Sequence, residues 1–183
     1  MSAPGFEGYA NPDGSVGMRN HLLVLSVTGL TGPTARRIGQ AIRGAVVVIA
    51  KSGSAPVAGV LGYAEAPPGP GLHLMDAPAY APESLTGFTA AGAQLLLFST
   101  GVGNSFAGAL APTVKLSANP RTCARLRQQL DYRADAVFRG EQSLDRAADE
   151  LLAELLEIAA GALTWGEVLQ EGEEVVSRYG PVL

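Results

Sequence analysis

The sequence contains few cysteines, histidines, aromatic residues and charged residues. Its 183 residues include one cysteine and two histidines, and only 6% are aromatic and 16% charged. The single cysteine, Cys123, excludes an internal disulfide and a cysteine-rich metal cluster. Two histidines support neither a Ser-His-Asp arrangement nor a metal-ligand cluster. Protein classes that depend on internal disulfides or on cysteine-rich metal clusters are therefore excluded.

Positive charge is also scarce. The 13 Lys and Arg residues against 17 Asp and Glu give a formal net charge of −4. The arginines are spread along the chain without a basic patch, so we expect no nucleic-acid partner. No basic start is followed by an apolar run, and no apolar stretch is long enough to span a bilayer. We therefore expect a cytoplasmic protein with no membrane partner.

Apolar residues, glycine and proline are abundant. Hydrophobic residues make up 47% of the chain, with 23 glycines and 12 prolines, which predicts a single well-buried domain over residues 1–183 with many tight turns. Continuous apolar runs predict buried strands, and helical patterns alternate with them. The prediction is therefore an α/β fold, a three-layer Rossmann-like domain with a mainly parallel sheet. Four strands are expected in one sheet: Leu22–Val27, Val46–Ala50, Leu95–Phe98 and Thr113–Leu116.

Capping residues predict where helices begin. Asn119, followed by a proline, and Ser143, followed by acids, are typical N-caps of two helices. Ser84 or Thr86 is expected to cap an earlier helix. Residues 134–140 are predicted as a short strand, and the C-terminal end as loose chain.

Four predicted loops consist of small residues rich in hydroxyls and backbone N–H groups. In parallel sheets, ligands bind beyond the carboxyl ends of the strands, where such loops meet. Backbone N–H donors suit a small anion or a polyhydroxylated acid, although glycine and serine also serve simply to make tight turns. The loops are "TGLTGPT", "KSGSA", "DAPAY" and "STGVGNS".

Two lysines lie next to or inside predicted strands. Lys51 follows an apolar strand directly, so it could pair with a substrate carboxylate or act as a base; a strand-end lysine is the structural alternative. Lys115 lies within an apolar run, and a buried charge needs a partner, for which Asp131 and Asp135 are candidates. For Lys115 a structural ion pair is favoured over a catalytic role.

Three further side chains are candidates for acid chemistry. Arg19 can form a bidentate pair with a carboxylate, and His21 titrates near neutral pH, although a lone histidine at a strand start is more often structural. Asp76 ends a short predicted strand and could serve as a base or metal ligand, with capping as the alternative.

Four stretches resemble, in the same order, the catalytic region of sugar-acid dehydratases of the altronate and galactarate dehydratase type. The first carries that family's Val-Gly-x-Arg-Asn-His pattern, and the second its Gly-Leu-x-x-Met-Asp-x-Pro segment. The third resembles its Phe-Thr-Thr-Gly-Arg-Gly loop and Pro-x-x-Lys strand, and the fourth its closing helix. The stretches are residues 8–27, 51–80, 92–120 and 143–167. Thirteen positions are family-like: Arg19, Asn20, His21, Lys51, Ser52, Gly53, Asp76, Thr100, Gly101, Gly103, Lys115, Asn119 and Asp131.

The resemblance also has departures. Val102 stands where the family loop has arginine, and Arg133 where an asparagine is usual after Asp131. In family members a large segment that contains histidine and cysteine separates the two halves of this region. In this chain the short stretch Ala45–Ala50 joins the two halves directly. The resemblance thus implies a shortened member lacking the segment that supplies metal ligands. The resemblance implies that a divalent metal, Mg, Mn or Fe, is possible. The residues of this sequence do not by themselves identify a set of metal ligands.

The expected function is that of a lyase or dehydratase acting on a small hydroxylated carboxylic acid by α-proton abstraction and β-elimination. The alternatives are an isomerase or cyclase of a specialised pathway, or a non-catalytic binding or partner subunit. Lys51, His21 and Asp76 are the expected catalytic residues. The expected substrate-binding residues are Arg19, Asn20, Ser52, Gly53, Ser54, Ser99, Thr100, Gly101, Gly103 and Lys115. A homodimer is expected because so apolar a chain should expose surface that larger relatives cover.

Overall fold

The computed structural model describes residues 9–10, 16–17, 46–48, 58–69, 71–78 and 80–175. The strands are β1 (Tyr9–Ala10), β2 (Val16–Gly17), β3 (Val46–Val48), β4 (Gly59–Leu61), β5 (Gly71–Met75), β6 (Leu96–Ser99), β7 (Thr113–Ser117) and β8 (Tyr132–Arg133). The helices are α1 (Ala81–Ala90), α2 (Pro120–Arg125), α3 (Asp135–Phe138), α4 (Leu144–Ala159) and α5 (Trp165–Val168). The predicted strand Leu22–Val27 lies outside the described residues.

The strands form parallel sheets, which confirms the predicted α/β fold. One sheet of three strands has the order β3-β5-β4 and a second has the order β6-β7-β8, and every pair in both is parallel. β1 and β2 form a separate antiparallel pair. The expectation that Val46–Ala50 shares a sheet with Leu95–Phe98 is not met among the described strands. β3 pairs instead with β5, which is not one of the four strands expected in one sheet.

Helices cover both faces of β6. Its side chains alternate, as strand geometry requires, so Leu95 and Leu97 belong to one apolar cluster and Leu96 and Phe98 to another. The first cluster also contains side chains of α4, and the second contains side chains of α1. This produces a helix–sheet–helix arrangement around β6. The two clusters also include residues of β5, with Leu72 and Leu74 packed against the first and Met75 in the second.

Two of the predicted caps are confirmed. Asn119 Oδ1 accepts a hydrogen bond from Arg121 N at 3.0 Å at the start of α2, and Ser143 Oγ accepts one from Arg146 N at 3.3 Å at the start of α4. Asn119 therefore begins α2 at the carboxyl end of β7. The third cap prediction is wrong, because α1 begins at Ala81 after Tyr80 and has no side-chain cap.

The predicted strand over residues 134–140 is also wrong. Its core forms α3, and the strand is the preceding pair of residues, β8. The side chains of Asp135 and Arg139 are paired one turn apart, an arrangement that favours a helix. None of the described helices is long and apolar enough to cross a membrane.

Candidate functional site

The carboxyl ends of β6 and β7 lie side by side. Phe98 pairs in register with Lys115, and Ser99 with Leu116, so the chain leaves both strands at the same edge. Residues Thr100–Gly103 follow β6 there, and Asn119 opens α2 after β7. This edge is where ligands of parallel α/β sheets bind, and it contains four of the predicted substrate-binding residues, Ser99, Thr100, Gly101 and Gly103.

The loop Thr100–Gly103 has a fixed conformation. Thr100 N donates to Leu116 O at 2.9 Å, and Gly103 N donates to Thr100 Oγ1 at 3.1 Å. Gly103 has a φ of 94°, in the region that favours glycine. A Cβ atom at Gly103 would lie 2.2 Å from Leu126 Cδ1. The loop therefore needs glycine at this position for both its backbone angle and its packing.

Side chains of α2 and its cap hold the carbonyl groups of this loop. Gly101 O accepts hydrogen bonds from Asn119 Nδ2 at 3.0 Å and from Thr122 Oγ1 at 2.8 Å. Val102 O accepts one from Arg125 Nη2 at 3.1 Å. Gly101 and Val102 are exposed, and their N–H groups have no partner within the described residues. Of the loop amides from Thr100 to Gly103, these two are the ones that a ligand can reach.

Lys115 lies beneath the loop rather than in an open crevice. Its side chain is 0% exposed, and Nζ donates to Glu171 Oε2 at 3.1 Å. Nζ also lies 3.4 Å from Asn104 O and 3.3 Å from Ser105 O, both acceptors. The structural ion pair favoured for Lys115 is present. Substrate binding by Lys115 stays a prediction, and these contacts favour a structural role.

The partner of Lys115 is not an aspartate, so that part of the sequence prediction is wrong. Asp131 Oδ2 accepts a hydrogen bond from the backbone N of Lys115 at 2.6 Å, and Oδ1 accepts one from Trp165 N at 2.7 Å. Asp131 thus links β7 to the first turn of α5. Burial raises the pKa of Asp131, and the two N–H donors and the charge of Lys115 oppose that rise.

The segment Glu171–Val175 is hydrogen-bonded to the chain that follows the loop. The end of the chain was expected to be loose, and residues 176–183 of it lie outside the described residues. Glu174 Oε1 accepts hydrogen bonds from Ala109 N at 3.0 Å and Leu110 N at 3.2 Å, and Oε2 accepts one from Thr86 Oγ1 at 2.9 Å. Through Glu171 and Glu174, this segment is therefore bound to Lys115, to the chain that follows the loop and to α1. The acid run "EGEE" was the one sequence signal of such a role.

Three further chemistry-bearing residues form no hydrogen bond with the loop among the described residues. Asp76 follows β5 in the other sheet and is exposed, with its backbone N donating to Leu61 O at 2.9 Å. His73 is buried, and its Nε2 lies 3.1 Å from Gly69 O. The Cys123 thiol donates to Ser117 O at 3.2 Å, and burial raises its pKa, which favours the unreactive thiol.

Within the described ranges, no three His, Cys, Asp or Glu side chains form a group that could hold a metal ion. The donor set of this part of the chain therefore does not fit Mg, Mn or Fe.

Seven predicted site residues cannot be placed. They lie outside the described residues: Arg19, Asn20, His21, Lys51, Ser52, Gly53 and Ser54. Sequence reasoning did not assign site roles to Thr122, Arg125 or Glu171, which hold the loop or the lysine beneath it. These three residues have side chains that can form hydrogen bonds, but no distinctive spacing in the sequence marks them as part of a site.

An α/β domain with a glycine loop at the carboxyl edge of parallel strands defines a broad class of small-ligand-binding proteins and enzymes. Residues 41–182 match the family model described as D-galactarate/Altronate dehydratase, C-terminal. The chain belongs to this family, as the sequence resemblance predicted.

Three curated relatives give the same result. The chain is 41% identical over 122 residues to the (2R)-sulfolactate sulfo-lyase subunit beta of Chromohalobacter salexigens, covering 67% of this chain and 31% of that protein. It is 32% identical over 133 residues to the altronate dehydratases of Escherichia coli and Bacillus subtilis, covering 73% of this chain and 26% and 27% of theirs. The chain therefore spans less than a third of the length of each of these relatives.

Proposed function

We propose that the chain is a lyase of the dehydratase type that acts on a small hydroxylated carboxylic acid. The observation that carries this proposal is the loop Thr100–Gly103, fixed at the carboxyl edge of β6 with the amides of Gly101 and Val102 exposed. Family membership and relatives named as lyase and dehydratase support the reaction type.

The proposed reaction removes the proton on the carbon next to the carboxylate. The C–H electron pair becomes the new C=C bond, and the β-hydroxyl leaves and is protonated to water. In sulfolactate, which has no β-hydroxyl, the β-sulfonate leaves as sulfite instead. Lys51, His21 and Asp76 are the candidate bases. The two exposed loop amides donate to the carboxylate oxygens where enolate charge develops, the point at which stabilisation lowers the barrier. Substrate contacts are completed by Ser52, Gly53 and Ser54, in a loop predicted at the same edge, and by Arg19 and Asn20, which precede the first predicted strand.

A second candidate function is that of a binding or partner subunit. One relative is named as subunit beta, and the chain covers 31% of it. The described part of the site offers exposed amides for binding, but Lys115, the one lysine among the described residues, has its charge taken up by Glu171. Under this reading the chain binds the acid and another chain supplies the base.

The test uses the full chain and measures turnover and binding of D-altronate, D-galactarate and (2R)-sulfolactate. Wild-type turnover supports the lyase, and Lys51→Ala should then lower activity or binding by roughly a hundredfold with an unchanged melting temperature. The matched control is Arg146→Gln, which removes a cation from α4, and it should retain activity. Binding without turnover supports the partner-subunit candidate, and neither binding nor turnover contradicts both.

We also expect the chain to form a homodimer. Two large apolar side chains, Val102 and Leu110, are 74% and 78% exposed, and such side chains offer apolar surface to a second copy of the chain. Light scattering at micromolar concentration should give the mass of two chains, and a monomer at that concentration would contradict the expectation.

A further inference from the structure

Basic residues are concentrated between residues 115 and 133. This stretch contains five of the 13 Lys and Arg residues but one of the 17 Asp and Glu residues, for a formal charge of +4. The rest of the chain has eight basic and 16 acidic residues, for a charge of −8. The five basic residues are Lys115, Arg121, Arg125, Arg127 and Arg133.

The fold places this stretch around the carboxyl edge of β7. Arg121 lies in the first turn of α2, directly after that edge, and Arg133 ends β8 in register with Ser117, the last residue of β7. Arg125 reaches back from α2 to Val102 O. All three arginines are exposed, so a sheet edge with a net positive charge faces solvent in an otherwise acidic chain.

These arginines differ from those further along the chain. Arg139 is paired with Asp135 and lies 2.9 Å from Glu141, and Arg146 lies 3.0 Å from Glu150. Within the described residues, Arg121, Arg125 and Arg133 form no ion pair. An uncompensated group of arginines raises the local concentration of small anions and so favours their binding.

Arg125 is the member of this group that is held in place. Its Nη2 is bound to Val102 O at 3.1 Å, which leaves other N–H donors of the planar guanidinium available. The exposed amides of Gly101 and Val102 belong to the same loop. A guanidinium beside two N–H groups is a combination that binds carboxylate and sulfonate oxygens well.

We propose that Arg125 binds a second anionic group of the substrate, beside the amides of Gly101 and Val102 that hold the reacting carboxylate, so that the substrate is a small hydroxy acid with two anionic groups. Arg121 and Arg133 attract the dianion to this edge. This inference rests on the proposed function for the identity of the acid. The higher identity to a relative named for sulfolactate than to those named for altronate supports a dianion.

The test follows the amide resonances of Gly101 and Val102 in the full chain by NMR during titration with three probes. Malate and (2R)-sulfolactate are dianions that differ in their second group, carboxylate or sulfonate, and lactate lacks a second anionic group. We expect both resonances to shift with the dianions. Arg125→Gln should weaken dianion binding by about tenfold or more while changing lactate binding little, since one charge-assisted contact is lost.

Arg146→Gln removes the same charge from α4 and should bind all three probes like the wild type. Arg125→Lys keeps the positive charge but not the planar guanidinium, so it should lose less dianion affinity than Arg125→Gln. It also provides a second test if Arg125→Gln fails to fold. Whichever dianion binds more tightly identifies the second group as carboxylate or sulfonate.

The inference would be overturned if neither amide resonance shifted in the wild type, or if Arg125→Gln bound the dianions as tightly as the wild type. It would also be overturned if Arg125→Gln lost affinity for the dianions and for lactate to the same extent, because that result would indicate a loosened loop. Turnover that survives Arg125→Gln with wild-type affinity would remove the subsite and leave the dehydratase proposal intact. Arg125-dependent dianion binding in a chain that turns over no acid would support the subsite and contradict the dehydratase.

Discussion

Lys115 Nζ and Glu171 Oε2 lie 3.1 Å apart, although 56 residues separate them in the sequence. The lysine side chain is 0% exposed and the glutamate side chain 30%. A buried ammonium is costly unless it is paired and its N–H groups have acceptors, and here the carbonyls of Asn104 and Ser105 complete the set. The pair therefore joins β7, the chain after the glycine loop and the C-terminal segment Glu171–Val175 into one unit.

Glu171→Gln should destabilise the protein strongly. The substitution leaves the Lys115 ammonium buried without a negative partner, and breaking such a pair costs about 3 kcal/mol or more. The partial exposure of Glu171 lets water replace some of the lost contact, so we expect the lower end of that range. The free energy of unfolding from urea titrations measures the loss.

Glu173→Gln is the matched control, because Glu173 is an exposed acid in the same segment. Its hydrogen bond to Ala107 O comes from the backbone N, which the substitution leaves in place. It should change the unfolding free energy by less than about 0.5 kcal/mol. Combining Lys115→Met with Glu171→Gln should recover part of the loss, because no unpaired charge remains. Equal losses in both single glutamine variants would contradict the ion-pair account.

The need of Lys115 for a partner could be predicted from the sequence, but the partner itself could not. A charge between apolar strand residues must be compensated, and that follows from local pattern alone. Glu171 lies in a segment without regular structure, far along the chain, so neither periodicity nor spacing connects it to Lys115. Asp131, the expected partner, bonds to the lysine's backbone instead.

Local signals predicted the starts of α2 and α4 correctly, but not the arrangement of the strands. The caps Asn119 and Ser143 act through hydrogen bonds within three residues, so sequence reveals them. The pairing of β5 with β3 depends on contacts between distant residues, which apolar runs do not specify. Likewise, the sequence shows that arginines are concentrated in residues 121–133, but only the fold shows that Arg121, Arg125 and Arg133 lie around one sheet edge.

Gly103→Ala should destabilise the loop while Gly101→Ala is tolerated. Gly103 has a φ of 94°, and its new Cβ would meet Leu126 Cδ1 at 2.2 Å, whereas a Cβ at Gly101 has no neighbour within 4 Å. The strained backbone and the displaced Leu126 should together cost at least about 1 kcal/mol. Melting temperatures of the two variants, measured side by side, test this difference. A Gly101 variant that melts as low as the Gly103 variant would argue against the conformation described for this loop.

Tyr132 should make the protein sensitive to alkaline pH. Its OH donates to Ala147 O at 3.1 Å and lies 3.5 Å from Glu150 Oε2, and its ring packs against the cluster shared with α4. Burial, and then the charge of Glu150, raise the pKa of Tyr132 from 10.0 to about 12. The unfolded chain therefore releases this proton at lower pH than the folded one. The stabilisation linked to Tyr132 is complete below pH 10.0 and is lost as the pH rises through about 12.

Tyr132→Phe should accordingly cost about 1 kcal/mol near neutral pH, from the lost hydrogen bond, and should flatten the decline in stability between pH 10.0 and about 12. Unfolding free energies across that window, for the wild type and for Tyr132→Phe, measure the effect. The matched control is Tyr80→Phe, because Tyr80 is 56% exposed, and that variant should keep the wild-type slope. If Tyr132→Phe and the wild type decline in parallel through the window, the buried hydroxyl is not what sets the alkaline limit.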